Sequence, residues 1–318
     1  MMEEDLNIDG EHGVTIIVTP DEMQEKGLAL AGFDEERQAR APKSNRQRFL
    51  DRYGSSAYQL CKIWEDLQTT DIDEARVPPK KLVLDYFFLA HHFLRHYPVE
   101  SERHGDYDAR SQTIREWVWH FVEKMQALKA QKIFIPDSHV TGDDIWIMTI
   151  DGTMLPAHEK AGVNCVKDKN LFSFKHHRAG YNAEVGVSLW ENRCVWLGGP
   201  GPAGENSDRV IFRKENGLRD KLRAMKKKAI ADGGYTGDRA TLSTPNGHDS
   251  PSVRRFKTRA LKRHEKFNNM LKVFRCLDHN FRHRTEEKYK SLFEVVAVIC
   301  QYHLENGCPL YNIYVGDM

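Results

Sequence analysis

Three acidic residues that lie far apart in the chain occupy positions suited to metal-dependent chemistry. Asp151 directly precedes Gly152 at the predicted C-terminal end of an apolar strand, and Asp232 ends a short predicted strand in the motif Ala231-Asp232-Gly233-Gly234-Tyr235. Glu265 lies in a long predicted helix. Because ligands bind at the carboxyl ends of strands in open α/β sheets, two strand-end aspartates and one helical glutamate are expected to converge.

The chemistry expected of such a trio is phosphoryl transfer with bound metal ions. Crowded carboxylates repel one another unless cations neutralise them, and oxygen ligands suit Mg²⁺ or Mn²⁺. Two such ions about 3.5–4 Å apart activate an attacking oxygen and stabilise the leaving one. We therefore predict two divalent ions, Mg²⁺ or Mn²⁺, held by Asp151, Asp232 and Glu265. Taken singly, each acid is an ordinary turn or surface residue, and only their joint placement favours a site.

Two further residues are secondary candidates. Asp208 follows Gly204-Glu205-Asn206-Ser207, and we interpret it as a helix N-cap, with a place near the acids as the alternative. His264 adjoins Glu265 but points to another helix face, so phosphate contact or packing is favoured over metal ligation. The run His176-His177-Arg178 fits a DNA contact and a solvated loop equally well.

Basic residues are concentrated in one part of the chain although the net charge is only +1. Residues 209–290 carry 23 basic and 9 acidic side chains, and this clustering is the electrostatic footprint of nucleic-acid binding. The alternative is a solvated, salt-bridged helical surface. On the predicted helix around Glu265, contact with DNA phosphates is favoured. The DNA-binding candidates are Arg254, Arg255, Lys257, Arg259, Lys262, Arg263 and Lys266.

The 318 residues divide into three predicted segments. Residues 1–40 carry 11 acidic and 3 basic side chains and are expected to form a mostly disordered acidic arm. Residues 41–140 show helical periodicity, which fits a helix-turn-helix and a plain helical bundle equally well. Residues 141–318 are predicted to form the catalytic domain and to end in a helix.

Periodicity in the last segment predicts an RNase H-like α/β fold, a mixed sheet flanked by helices. Apolar residues on both faces of residues 144–150 indicate a strand that is buried on both sides. The order of predicted elements is three strands, a helix, a strand and a long helix, and it resembles that fold by analogy only. The later elements are strands at 183–190, 193–198 and 228–231 and helices at 207–225, 252–278 and 286–305.

Composition points to a reduced intracellular protein. The six cysteines are scattered, and none forms a CxxC pair, so a zinc finger or a disulfide scaffold is disfavoured. No run approaches the roughly 20 apolar residues of a membrane span, and the acidic N-terminus lacks the features of a signal peptide. We therefore expect no membrane association.

Four motifs together resemble the motif series of Harbinger-type (PIF-like) DDE transposases. The 32 residues between Asp232 and Glu265 fit the spacing of that family's last two catalytic acids. The resemblance covers residues 144–304 well and residues 46–135 more weakly. The motifs are Asp151-Gly152-Thr153, Gly199-Pro200-Gly201-Pro202, Ala231-Asp232-Gly233-Gly234-Tyr235, and Arg263-His264-Glu265 with Asn268.

The resemblance implies that Asp151, Asp232 and Glu265 are the metal ligands of a DDE triad that cuts DNA and joins it to a target. It also implies a Myb-like DNA-binding partner and a nuclear location, and a homo-oligomer is left open. One alternative is a domesticated descendant, either a nuclease or a DNA-binding host protein that no longer cuts. Another is a purely structural interaction protein, in which the three acids coincide by chance.

Overall fold

A mixed β-sheet forms the centre of residues 141–318, the segment predicted to be the catalytic domain. The computed structural model describes residues 17–68, 83–99, 110–158, 169–235, 237–283 and 285–314. In the sheet, β3 pairs antiparallel with β1, with β4 and with the short β2. On the other side of β1, β5 pairs parallel with β1, and β6 pairs parallel with β5. The strands are β1 Trp146–Pro156, β2 Phe172–Ser173, β3 Arg178–Ser188, β4 Cys194–Pro202, β5 Lys228–Ile230 and β6 Leu242–Ser243.

Helices precede the sheet in the chain and cover both of its faces, as predicted. The first group is α1 Pro20–Leu30, α2 Glu35–Arg40, α3 Pro42–Tyr53, α4 Ala57–Gln68, α5 Val83–His96, α6 Ser111–Ala127, α7 Lys129–Lys132 and α8 Asp137–Thr141. The later helices are α9 Asp208–Phe212, α10 Leu218–Met225, α11 Pro251–Lys272, α12 Arg275–Asp278 and α13 Glu286–Glu305. Within the described residues, no helix is long and apolar enough to cross a membrane.

Strand β1 is longer than predicted, and this changes the position of Asp151. Its antiparallel ladder with β3 continues to the Pro156↔Gly180 pair, so Asp151 lies within the strand and not at its C-terminal end. The parallel partner β5 is short, and Ile230 pairs with Thr149. Because β5 ends there, Asp232 leaves the sheet close to Asp151, although Asp151 itself is not at a strand end.

Two of the predicted helices are broken in the structure. The helix predicted at 207–225 divides into α9 and α10 because Asn216, with φ of 56°, and Gly217 interrupt it. The helix predicted at 252–278 ends at Lys272, and the short α12 follows it. The helix at 286–305 is confirmed as α13, and its side chains are buried along most of its length.

The prediction of a mostly disordered acidic arm is wrong for residues 20–40, which form α1 and α2. Thr19 and Glu22 cap α1 reciprocally, and Leu28 is fully buried. Gly27 allows the helix to approach two aromatic rings closely. The acidic composition of this segment gave no sign that one face of α1 is buried and packs against Phe49 of α3 and Phe88 of α5. Residues 1–16 lie outside the described residues.

One apolar core runs through the N-terminal helices and the sheet. It includes Phe49 and Phe88 from α3 and α5, Val185 from β3, and Val296 from α13. Helix α13 thus lies between the two parts and packs against both, while α9 and α10 cover the other face of the sheet, where Ile150 packs. The choice between a helix-turn-helix and a plain bundle in the N-terminal region stays a prediction.

Replacing Gly27 with Leu tests whether α1 is docked. A methyl group on Gly27 would lie 2.5 Å from Phe49 Cε2 and 2.8 Å from Phe88 Cε1, so a larger side chain must displace these rings. We expect Gly27→Leu to lower the free energy of unfolding by roughly 1–3 kcal/mol in urea titrations. Ala29→Leu, at an exposed position of the same helix, is the control and should change it by about 0.5 kcal/mol or less. Equal effects would mean that α1 is not packed on the core.

Candidate functional site

Asp151 is a half-buried carboxylate on β1 that faces α11. Its Oδ2 accepts a hydrogen bond from Asn268 Nδ2 at 3.1 Å. Burial and the negative charges of Asp232 and Asp208 raise the pKa of Asp151 to about 6. Since each of these effects disfavours the charged form, a cation bound nearby would favour the ionised form of Asp151.

Asp232 is held by the tight turn that follows β5. Its Oδ1 accepts a hydrogen bond from the Gly234 backbone N–H at 2.9 Å. A methyl group on Gly234 would lie 3.1 Å from Asp232 Oδ1 and 3.7 Å from Asp208 Oδ2, so the glycine lies between two carboxylates and carries no side chain toward either. The Gly-Gly pair after the acid therefore leaves space at the site, as its sequence suggested.

Asp208 belongs to the acid cluster, and its interpretation as an N-cap is wrong. Ser207 is the N-cap of α9, and Asp208 is its first helical residue. The Asp208 carboxylate lies over Gly152, where an added methyl group would stand only 2.0 Å from Oδ1. Lys175 Nζ lies 3.6 Å from Asp208 Oδ2. The proximity of Asp208 to Gly152 could not be predicted from the sequence, because it arises only in the folded chain.

Helix α11 brings Asn268 to the site but leaves Glu265 exposed. His264 is buried, and its Nδ1 lies 2.9 Å from Thr149 Oγ1, so it packs against β1 as predicted. Among the described residues, no three His, Cys, Asp or Glu side chains come close enough to hold a metal ion. Glu265 lies three residues, about one helical turn, before Asn268 on α11.

The carboxylates of the site do not converge to ligand distance in the described part of the chain, but their donor atoms are of the kind that a hard divalent cation binds. Asp151, Asp208 and Asp232 offer only oxygen, the ligand type that Mg²⁺ and Mn²⁺ prefer. The buried Asn268 Oδ1 has no hydrogen-bond partner in the described part of the chain, which leaves a further oxygen beside Asp151. The mutual repulsion that raises the pKa of Asp151 is the repulsion that a cation would remove.

Glu184 is a buried acid next to the site that the sequence analysis did not identify. It lies on β3 opposite Gly152 and is fully buried. Trp196 Nε1 donates to its Oε1 at 2.9 Å, and burial raises the pKa of Glu184 to about 8. The Tyr235 hydroxyl faces the same carboxyl group. An acid within the apolar run 183–187 was the only signal in the sequence.

Two of the seven predicted DNA-binding residues are structural. Lys257 is buried, and its Nζ contacts both oxygens of the Asp249 carboxylate at 2.9 Å. Arg263 is also buried and donates to the carbonyl oxygens of Ser188, Glu191 and Tyr311. Both cations fasten α11 to neighbouring segments, so the prediction that they contact phosphates is wrong.

The other five predicted DNA-binding residues on α11 stay candidates for DNA contact. Arg255 and Lys262 are exposed, and Arg259 is half-buried. Arg254 donates to the carbonyl oxygens of Asn246 and Gly247, and Lys266 Nζ donates to that of Pro309 at 3.1 Å. Because Lys262 and Lys266 flank Glu265 in sequence, cations surround the exposed acid.

Asp151→Asn is expected to stabilise the metal-free protein at alkaline pH. Because the pKa of Asp151 is raised in the folded state, its stabilising contribution is present below about pH 4 and is lost as the pH rises through about 6. In EDTA, the variant should gain roughly 1–2 kcal/mol in unfolding free energy at pH 8 and little at pH 4, as measured by urea denaturation. Asp143→Asn, at an exposed position, is the control. A gain that does not depend on pH would contradict the proposed crowding of charge.

Comparison with known proteins finds a family model that matches the segment containing these acids. Residues 150–301 match the family described as DDE superfamily endonuclease, a range that begins one residue before Asp151 and includes Asp208, Asp232 and Glu265. No curated protein and no solved structure matches the chain. Members of this superfamily act on DNA and generally use divalent metal ions. The segment is therefore similar to DDE superfamily endonucleases, and this similarity supports a metal-dependent endonuclease or transposase kind of function.

Proposed function

We propose that this protein is a Harbinger-type transposase that cuts and rejoins DNA with two divalent metal ions. The observation that carries the proposal is the crowding of Asp151, Asp208 and Asp232 at the sheet edge where β5 ends, with Asn268 of α11 bonded to Asp151. The strand order β4–β3–β1–β5–β6 supports an RNase H-like interpretation of the sheet.

In this proposal Asp151, Asp232 and Glu265 hold the ions, which are Mg²⁺ or Mn²⁺. Bound ions would supply an activated attacking oxygen and stabilise the leaving oxygen of an in-line displacement. The chain contributes the positioning: Asn268 orients Asp151, Gly152 lets the Asp208 carboxylate lie close to β1, and Gly234 adds no side chain beside Asp232. Cleavage frees a 3′-hydroxyl, and the same site directs that hydroxyl at target DNA.

The Harbinger assignment extends to the partners and the location of the protein. Element ends and target DNA are the substrates, and a Myb-like DNA-binding protein assists in recognising the ends. The protein then acts in the nucleus, and two copies in a homo-oligomer would bring two ends together. These proposals rest on the motif resemblance alone.

A second candidate is a domesticated protein that binds DNA and does not cut it. The exposure of Glu265 favours this candidate, because the third acid is not assembled with Asp151 and Asp232 in this structure. The two candidates share the DNA-binding surface and differ in whether Glu265 is needed for DNA cleavage, so substitution of Glu265 distinguishes them.

Asp232→Asn and Glu265→Gln test the metal chemistry. Each keeps the size of the side chain and removes one negative charge, so cleavage of terminal-repeat DNA in Mg²⁺ should fall by several orders of magnitude, on the scale of about 10³-fold or more. DNA affinity, measured by fluorescence anisotropy, should change little. Asp278→Asn, at an exposed position of α12, is the control.

Cleavage by Asp232→Asn at the rate of the parent protein would remove Asp232 from the site and end the transposase proposal. Loss of activity in Asp232→Asn but not in Glu265→Gln would leave a nuclease with a different third ligand, for which Asp208 is the structural candidate. Binding without cleavage by the parent protein, with its partner and true element ends present, would favour the domesticated candidate.

The salt dependence of DNA binding tests the exposed face of α11. Each phosphate contact contributes about −0.9 to the slope of log affinity against log salt. Replacing Arg255 and Lys262 together with Ala should flatten the slope by up to roughly two units. The matched pair Lys43→Ala and Arg46→Ala, exposed on α3, should leave the slope unchanged. The reverse result would place the DNA along the N-terminal helices and support the helix-turn-helix prediction.

A further inference from the structure

The turn between β2 and β3, residues 174–177, presents an aromatic ring to solvent near the acids. The side chain of Phe174 is 79% exposed, and its ring meets that of Phe172 edge-on at 5.4 Å. Ser173 Oγ accepts a hydrogen bond from the His176 backbone N–H at 3.3 Å, which orders the turn. A single exposed ring is ordinary on a protein surface, so the significance of this one depends on what lies beside it.

A cavity of about 220 Å³ lies between this turn and the acid cluster. Its lining includes Gly152 and Asp208 from the acid cluster and Phe174, Lys175 and His176 from the turn. Its volume is below the roughly 300–1,000 Å³ of typical small-molecule sites, so it suits one planar group and not an extended ligand. Hydrogen-bonding side chains complete the wall, namely Thr153, Asn182 and Ser207.

Lys175 connects the cavity to the candidate metal site. Its Nζ lies 3.6 Å from Asp208 Oδ2, while its side chain is 69% exposed and can reach a ligand. An occupant of this cavity would meet an aromatic face at Phe174, polar atoms in the wall and a cation beside the acids. A nucleotide has the matching parts, because it joins a planar base with polar edges to a phosphate.

We propose that this cavity holds one unstacked nucleotide of the substrate strand, with its base against Phe174 and its phosphate beside Lys175. The inference rests on the proposed action on DNA and deepens it, since it names the part of the substrate that borders the acids. Stacking on Phe174 would be tolerant of base identity, because every base has a flat face. The captured nucleotide would set the register of the strand relative to Asp151 and Asp208.

A photo-crosslinking experiment tests this directly. The full-length protein is bound in Ca²⁺ and low salt to a single-stranded thymidine oligonucleotide that carries one 5-iodouracil. After irradiation, we expect the crosslinked peptide to contain Phe174. Phe174→Ala should lose this crosslink and bind a fluorescein-labelled copy about 5- to 10-fold more weakly, a loss within the range expected for one stacked base. Phe174→Trp should restore both signals.

Tyr58→Ala is the matched control, because Tyr58 is an exposed aromatic residue on α4, and it should leave crosslinking and affinity unchanged. Parent-like affinity in Phe174→Ala, with the crosslink mapped to another segment, would overturn the nucleotide site and leave the proposed function standing. Failure of the parent protein to bind this oligonucleotide and duplex DNA at low salt would overturn both. Lys175→Ala should keep the crosslink and flatten the salt slope by about one unit.

Discussion

Electrostatic repulsion among Asp151, Asp208 and Asp232 is the constraint on which the rest of this site depends. The three acids come from β1, α9 and the turn after β5, and the half-buried position of Asp151 reduces the screening of its charge by water. Such a group of charges is unfavourable unless a cation occupies it or protons bind to it. The fold therefore keeps a cluster that costs stability in the metal-free protein, which is common where binding and catalysis require it.

The surrounding structure holds this cluster in place with rigid attachments. Arg263 and Lys257, which are buried cations, fasten α11 to the loop after β3 and to Asp249, and His264 bonds to Thr149 on β1. Together they fix the register of α11, and this register sets Asn268 against Asp151. The same cations contribute to the basic composition of residues 209–290, so part of the apparent DNA-binding charge has a structural role.

The exposed features around the cluster suggest how DNA would lie on it. Arg255 and Lys262 are exposed on α11, while Lys175 and Phe174 lie on the turn before β3, with Lys175 Nζ 3.6 Å from Asp208 Oδ2. In the proposed function, a strand that contacts both groups would pass the carboxylates of Asp151 and Asp208, and the latter lies over Gly152. In this arrangement the acids and their ions meet one phosphate, and the flanking cations and aromatic ring bind the neighbouring nucleotides.

The sequence by itself determined the alternation of strands and helices, the extent of α13, and the candidacy of Asp151 and Asp232, because apolar periodicity and Asp-Gly steps are local signals. Tertiary structure decided what depends on partners distant in the chain. Asp208 lies with the acids because Gly152 leaves space beneath its carboxylate, and Lys257 and Arg263 are not available to DNA because they donate to Asp249 and to backbone carbonyl oxygens. Helix α1 packs on the core because Gly27 has no side chain and admits the rings of Phe49 and Phe88. The type of a residue limits which contacts it can make, and only the folded chain determines which partner it contacts.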